Sequence, residues 1–195
     1  MPNATDTDSP KAALRTAALA LRDALPPADR AAAAELIAAR PFPVTISAGM
    51  IVSGFSPMKT EINPFPLMRK LAGAGASLAL PAIAGRGKPL IMRAYAFGNE
   101  FARGQWDIRE PKSDMPEVLP DVLIVPLACF DRAGHRVGYG AGYYDMTIHR
   151  LRAMKRVVAI GIAFAAQEIP RVPATERDER LDLVLTEREV IDLRG

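Results

Sequence analysis

A glycine-rich segment offers the residue types best suited to holding a phosphorylated ligand. Residues 131–145 read DRAGHRVGYGAGYYD, and Gly138, Gly140 and Gly142 alternate within them. Glycines let backbone N–H groups approach a phosphate closely, and the N-terminus of a helix that follows attracts the same anion. The spacing matches neither a Walker loop nor a Rossmann fingerprint. On its own, the pattern is explained equally well by a structural turn.

Side chains that suit a nucleotide flank these glycines. Arg136 precedes them, Tyr143 and Tyr144 follow them, and Asp145 lies just inside the next predicted helix. A cation for phosphate, aromatic faces for a flat ligand and a carboxylate for a divalent ion together are typical of a nucleotide site. Considered alone, the two tyrosines are explained equally well by packing at the start of an amphipathic helix.

The composition excludes several other kinds of chemistry. The 195 residues include one cysteine, Cys129, and two histidines, His135 and His149. A single cysteine excludes a disulfide framework and a Cys-rich zinc site, and the histidines form no H-E-x-x-H motif. Because Cys129 lies in an apolar run that is typical of a core, we expect a reaction that uses neither imidazole nor thiolate.

Charge and hydropathy indicate the class of partner. There are 25 Lys and Arg against 22 Asp and Glu, a net charge of +3, and the basic residues are dispersed among acidic ones. Nucleic-acid binders usually cluster their basic residues, so a nucleic-acid partner is not expected. The longest apolar stretches are shorter than the roughly 20 residues that cross a bilayer, and the N-terminus has no apolar signal core. We therefore predict a cytoplasmic protein without a membrane partner.

The elements that must position these residues alternate between strands and helices. Hydrophobic periodicity, capping residues and breakers predict helices over residues 10–25, 28–39, 64–72 and 142–154. Apolar and β-branched runs predict strands over residues 44–52, 77–83, 89–97, 121–130, 156–164 and 181–186. Residues 98–120 are predicted to be a loop. This order predicts an α/β fold, with one domain over residues 9–195 whose largely parallel central sheet is flanked by helices, preceded by a disordered tail over residues 1–8.

The first predicted helix carries three basic residues on one edge. Ser9 is predicted to be its N-cap, with Pro10 as the first helical residue. Lys11, Arg15 and Arg22 fall within about 40° of one another at 100° per residue, beside the apolar stripe. From the residues alone, a solvated helix edge is the simpler explanation.

Seven motifs in order resemble those of the 5-formyltetrahydrofolate cyclo-ligases. The segment RVGYGAGYYD resembles the signature of that family, which commonly reads R-L-G-x-G-x-G-Y-Y-D. The other matching segments are KAALR at 11–15, FSPMKTEINP at 55–64, LALP at 78–81, GQWDIREP at 104–111, DVLIVPLACFD at 121–131 and ERDERLDLVLTE at 176–187. The similarity spans residues 11–187. Ser56, Asn63, Ala141 and Met146 depart from the residues commonly found in the family.

The resemblance implies an ATP- and Mg²⁺-dependent closure of 5-formyltetrahydrofolate to 5,10-methenyltetrahydrofolate, with release of ADP and phosphate. Such phosphoryl transfer depends on alignment and charge neutralisation, which agrees with the shortage of histidine and cysteine. The resemblance also favours a monomer, while the preference for polyglutamylated substrate stays open. A non-catalytic nucleotide- or folate-binding homologue is the alternative. An RNA-associated module has only the slight basic excess in its favour.

The resemblance also implies site residues. Arg136 and Tyr143 are expected to be catalytic. The expected ATP contacts are Lys11, Arg15, Arg136, Gly138, Tyr139, Gly140, Ala141, Gly142, Tyr143 and Tyr144. The expected folate contacts are Phe55, Ser56, Glu61, Trp106, Tyr139, Gly140, Ala141, Gly142 and Tyr143. Asp145 and Asp182 are expected to bind Mg²⁺ directly or through water, although a strand-edge carboxylate is the simpler explanation for Asp182 alone.

Overall fold

A computed structural model describes residues 10–194, so the predicted tail and the predicted N-cap Ser9 lie outside the described residues. The helices are α1 Pro10–Asp23, α2 Pro27–Ala39, α3 Phe65–Gly73 and α4 Tyr143–Met154. The strands are β1 Ile51–Ser53, β2 Ser77–Ala82, β3 Ile91–Tyr95, β4 Phe101–Arg103, β5 Arg109–Pro111, β6 Val122–Val125, β7 Cys129–Phe130, β8 Arg136–Val137, β9 Val158–Ile162, β10 Leu183–Leu185 and β11 Val190–Asp192. A tight turn covers Gln105–Asp107, with Trp106 at φ of 58° and Asp107 at φ of 61°, and a short 3-10 helix covers Ala165–Gln167.

Seven of these strands form one mixed sheet in the order β11-β10-β9-β6-β1-β2-β3. The five inner strands pair in parallel, while β3 and β11 are antiparallel edge strands. Parallel neighbours require crossover connections, and α3 and α4 lie in the segments between β1 and β2 and between β6 and β9. The predicted α/β fold with a largely parallel central sheet is confirmed.

The central strand β6 shows why the sheet needs helices on both faces. All four of its residues are fully buried, as expected for a parallel strand covered on both sides. Its side chains alternate between two apolar clusters. Val122 and Ile124 pack in the cluster that includes α2 and α3, whereas Leu123 and Val125 pack in the cluster that includes Ile148 of α4.

Two predicted strands are shorter or more divided than the apolar pattern indicated. Of the predicted strand over residues 44–52 only Ile51 and Val52 belong to β1, because a turn closed by a 3.1 Å bond from Met50 N to Ser47 O precedes them. The predicted strand over residues 121–130 is divided into β6 and β7 around Pro126, which lacks the N–H needed to continue a ladder.

The predicted loop over residues 98–120 contains a short hairpin instead. Strands β4 and β5 pair antiparallel, with Phe101 opposite Pro111, and the turn between them carries Trp106. The small strands β8 and β11 were also not predicted from the sequence. None of the helices formed by residues 10–194 has both the length and the apolar character needed to cross a membrane.

Candidate active site

A cavity of about 640 Å³ lies at the carboxyl ends of β1, β2 and β6, the edge at which parallel sheets usually bind ligands. Its wall is formed by the start of α1, the segment after β1, the hairpin turn and the glycine loop, defined as residues 138–142. Fifteen of the sequence-predicted site residues line it: Lys11, Arg15, Phe55, Ser56, Glu61, Trp106, Arg136, Gly138, Tyr139, Gly140, Ala141, Gly142, Tyr143, Tyr144 and Asp145. Asp182 is not among the lining residues.

The glycine loop connects β8 to α4 and depends on glycine at two positions. Gly140 has φ of 96° and Gly142 has φ of 68°, in the left-handed region that other residues rarely adopt. Gly142 is also the N-cap of α4, so the positive end of that helix dipole points towards the loop. This arrangement provides backbone N–H groups and a favourable potential for an anion.

Helix α1 brings two cations to the cavity. The Nε of Arg15 donates a 2.7 Å hydrogen bond to the carbonyl oxygen of Gly138. Lys11 lies 2.6 Å from a carboxylate oxygen of Asp178, which also lines the cavity. This pairing and a bond from the amide of Thr175 hold the pKa of Asp178 below its ordinary value against the opposing effect of partial burial. Both cations therefore line the cavity, and each is held by a partner that also lines it.

Arg136 is a buried cation, 6% exposed, at the foot of the glycine loop. Its Nη2 donates to Asp145 Oδ1 over 2.9 Å, and its Nη1 donates to the carbonyl oxygen of Glu179 over 2.7 Å. Asp145 Oδ1 also accepts a 3.1 Å bond from the amide of Glu179. A buried charge needs such partners. Among residues 10–194, both hydrogen bonds that reach the Asp145 carboxylate use Oδ1, so Oδ2 has no partner among them and can face a cation at the cavity wall.

Glu61 has one satisfied and one unsatisfied carboxylate oxygen. Its Oε2 accepts a 2.7 Å bond from the amide of Met58. Oε1 is shielded from solvent and meets no donor of residues 10–194 at full hydrogen-bond geometry, although the Tyr139 hydroxyl interacts with the carboxylate. Burial raises the pKa of Glu61, and the Tyr139 hydroxyl, the Met58 amide and the charge of Arg22 partly offset that effect. A ligand with N–H donors would remove the cost of leaving Oε1 unpaired.

The aromatic residues surround the same space. The hydroxyl of Tyr144 is buried and has no hydrogen-bond partner within residues 10–194, and burial raises its pKa well above the ordinary value. The rings of Trp106 and Tyr143 lie 6.3 Å apart, and the Trp106 residue is 62% exposed. The cavity therefore combines cations, an unsatisfied carboxylate and flat apolar faces, which suits an anionic nucleotide beside a planar heterocycle.

Asp182 lies outside the cavity and is already bonded. Its Oδ2 accepts from Arg152 Nη2 over 2.9 Å and from the amide of Ala159 over 2.7 Å. Arg152 also pairs with Glu179 over 2.7 Å, and the backbone of Glu179 bonds Arg136 and Asp145. This chain of contacts connects Asp182 to the cavity-lining residues Arg136 and Asp145. Across residues 10–194, no group of three His, Cys, Asp or Glu could hold a metal by itself.

Sequence reasoning gave no role to three residues that the structure places at the site. Arg22 donates to the Tyr139 hydroxyl over 2.6 Å, and its position on the same helix edge as Lys11 and Arg15 was the available signal. Glu110 lines the cavity and accepts a 3.2 Å bond from the amide of Ile83; burial raises its pKa. Glu110 had no signal of its own within its matching segment, whereas Asp178 coincides with an aspartate of the family pattern that residues 176–187 resemble, four residues before Asp182.

Comparison with known proteins gives a consistent result. A model of the 5-formyltetrahydrofolate cyclo-ligase family matches residues 7–187. The 5-formyltetrahydrofolate cyclo-ligase of Mycolicibacterium smegmatis is 33% identical, over 94% of this chain and 97% of the relative. The enzyme of the same name from Escherichia coli K12 is 34% identical, over 71% of this chain and 79% of the relative. The NMR structure of Aquifex aeolicus 5,10-methenyltetrahydrofolate synthetase superposes with a TM-score of 0.78 at 27% identity, covering 95% of this chain and 93% of that one.

Proposed function

The chain belongs to the 5-formyltetrahydrofolate cyclo-ligase family, and we propose that the cavity between the glycine loop and Glu61 is its active site. The enzyme closes 5-formyltetrahydrofolate to 5,10-methenyltetrahydrofolate, and the family implies that ATP is consumed. The observation that carries the assignment to this cavity is the meeting of the Lys11, Arg15 and Arg136 cations with the unsatisfied carboxylate of Glu61 around one space.

In the proposed reaction, the formyl oxygen attacks the γ-phosphorus of ATP while the bond from that phosphorus to ADP breaks. The formyl carbon then becomes electrophilic, and the neighbouring N10 attacks it and loses its proton. Cleavage of the carbon–oxygen bond releases phosphate and leaves the methenyl bridge. The barrier falls mainly through alignment and charge neutralisation, so the protein must hold two anionic substrates in line.

The ATP side of the proposed site consists of α1 and the glycine loop. Lys11 and Arg15 lie where they can neutralise phosphate oxygens, and Arg136 lies beneath the loop as a charge fixed by its partners. Backbone N–H groups from Gly138 to Tyr144 supply further donors. Electrostatic stabilisation of this kind is effective because fixed donors need no reorganisation during the reaction.

The resemblance implies Mg²⁺, and Asp145 suits it as a single protein ligand that acts together with substrate phosphates and waters. Mg²⁺ is usually held by one or two carboxylates, substrate phosphates and several waters, and Asp145 Oδ2 is available at the cavity wall. When bound, the ion would neutralise charge on the phosphates. Asp182 would act on the Mg²⁺ site only indirectly. It bonds Arg152, Arg152 pairs with Glu179, and the Glu179 amide bonds Asp145.

The folate side of the proposed site is the segment after β1 together with the aromatic wall. Glu61 Oε1 is suited to the paired N–H donors of a pterin ring, which would satisfy it. Phe55 and Ser56 line the neighbouring wall, and Tyr143 and Trp106 offer ring faces. The planar ring would thus lie between aromatic faces, with its polar edge on the carboxylate.

A spectroscopic assay tests the function directly. Methenyltetrahydrofolate absorbs in the near ultraviolet where 5-formyltetrahydrofolate does not. Purified protein with Mg²⁺, ATP and 5-formyltetrahydrofolate should therefore show growing absorbance, which disappears when ATP is omitted or EDTA is added. Absence of any growth would favour the non-catalytic binding homologue. The monomeric state and the cytoplasmic location stay predictions, and light scattering in solution tests the first.

A further inference from the structure

Arg22 is a buried cation of α1 that has no place in the proposed reaction. Only 3% of the residue is exposed. Its Nη1 donates to the Tyr139 hydroxyl over 2.6 Å, and its Nε donates to Thr60 Oγ1 over 3.0 Å. A buried guanidinium is costly unless its donors are used in this way. Because burying the Arg22 guanidinium costs free energy, we infer that its hydrogen bonds do more than fill space in the core.

These contacts join the two halves of the cavity. Tyr139 belongs to the glycine loop, and Thr60 directly precedes Glu61. Thr60 Oγ1 in turn donates to Asp23, the last residue of α1. Arg22 and Glu61 also line one small crevice beside the cavity. One side chain of α1 therefore bonds the Tyr139 hydroxyl, which interacts with Glu61, and the residue that directly precedes Glu61.

We propose that Arg22 is a positioning residue that sets the distance between Tyr139 and Glu61 and so shapes the folate half of the site. The inference rests on the assignment of this cavity as the active site. The loop needs such support, because Gly138 and Gly140 on either side of Tyr139 allow a wide range of backbone conformations. A guanidinium suits the task, since its planar donors fix two acceptors at once.

Arg15 provides the contrast within the same helix. It bonds the backbone carbonyl of Gly138 rather than a side chain that interacts with Glu61 or adjoins it. Loss of Arg22 should therefore weaken folate binding while leaving ATP binding nearly intact. A merely structural role would lower the amount of folded protein, or would change both substrates alike.

The test uses Arg22→Met, Arg22→Lys, Tyr139→Phe and the Arg22→Met/Tyr139→Phe double variant. For Arg22→Met we expect the KM for 5-formyltetrahydrofolate, and its Kd measured by calorimetry without ATP, to rise about tenfold, as for loss of one charge-assisted hydrogen bond. The KM for ATP should stay within about twofold. Arg22→Lys should recover part of the loss. The folate KM of the double variant should lie within about twofold of the higher of the two single-variant values, because both changes remove the same contact.

Arg150→Met is the matched control, since Arg150 is exposed on α4 and does not line the cavity. Equal changes in both KM values, or single effects that multiply in the double variant, would overturn the proposal. If Arg22→Met does not fold, Arg22→Lys and Tyr139→Phe decide, because an unchanged folate KM in both also overturns it. Turnover by the wild-type chain tests the proposed function separately.

Discussion

The guanidinium of Arg136 donates a 2.9 Å hydrogen bond to the carboxylate of Asp145, which joins the two ends of the glycine loop. The side chains are 4% and 26% exposed, so the cation is buried and the carboxylate reaches the cavity wall. The glycines of the loop allow many backbone conformations, but the bond between Arg136 and Asp145 anchors the loop at both ends. Under the proposed function, a phosphate bound in the loop would meet a cation whose position is already fixed, which would reduce the reorganisation needed for catalysis.

Replacement of Asp145 should nearly abolish turnover. In Asp145→Asn an acceptor for the Glu179 amide remains, but the charge that would bind Mg²⁺ and pair with Arg136 is lost. We expect kcat to fall at least about 100-fold and half-saturation to require more Mg²⁺. The measurement is initial rate against Mg²⁺ concentration, with Asp145→Ala as the stronger change. Activity close to that of the wild type would remove Asp145 from the metal role.

Asp182→Asn gives the comparison within the same set of predicted ligands. It should lower the free energy of unfolding by about 1–3 kcal/mol, since it weakens acceptors for Arg152 and the Ala159 amide. The Mg²⁺ requirement should change much less than in Asp145→Asn. A shift in Mg²⁺ half-saturation equal to that of Asp145→Asn would instead make Asp182 a direct ligand.

Lys11→Met should weaken ATP binding selectively. Lys11 lies on the phosphate side, paired with Asp178, and the change leaves a carboxylate facing an anionic substrate. We expect the KM for ATP to rise about tenfold, while the KM for 5-formyltetrahydrofolate stays within about twofold. Lys155→Met is the control, because Lys155 forms an ion pair of the same 2.6 Å length with Asp121 away from the cavity. Equal effects of the two changes on the KM for ATP would contradict the assignment.

The order of elements and the glycine loop were predictable because both depend on local signals. Apolar runs, capping residues and alternating glycines act over a few residues. The hydrogen-bond partner of Arg22 was not predictable, since Tyr139 is 117 residues away along the chain. Trp106 was predicted in a loop, because the pairing that forms its hairpin joins two strands of only three residues each. The bonds of Asp182 likewise arise from neighbours in the sheet and α4.

Trp106 should report folate binding. It is the single tryptophan of the chain, it is largely exposed at the cavity, and its ring lies near Tyr143. A planar ligand that covers the indole should quench its emission and shift it to shorter wavelength, whereas ATP alone should leave it nearly unchanged. Trp106→Ala should raise the KM for 5-formyltetrahydrofolate about threefold to tenfold, and Trp106→Phe should retain most of the affinity. N-acetyltryptophanamide in the same titration corrects for light absorbed by folate. If saturating folate leaves the Trp106 emission unchanged, the folate does not bind against Trp106.

Folate binding should weaken as the pH falls, through Glu61. Burial raises the pKa of this carboxyl above its ordinary value of 4.5, so protonation begins at higher pH than for an exposed glutamate. The protonated form offers a poorer acceptor to the pterin N–H groups. The KM for 5-formyltetrahydrofolate should therefore rise as the pH is lowered towards that raised pKa.

Glu61→Gln separates this titration from all others. With no ionisable group at position 61, the variant should have a high folate KM, raised about tenfold or more, that changes little over the acidic range. Stability should respond in the opposite sense. The unfolded state loses the Glu61 proton at lower pH than the folded state, so the wild-type free energy of unfolding should decrease as the pH rises through the raised pKa. The variant should lack that decrease, which denaturant titrations at several pH values measure. Parallel KM profiles for the wild type and Glu61→Gln would assign the pH dependence to another group.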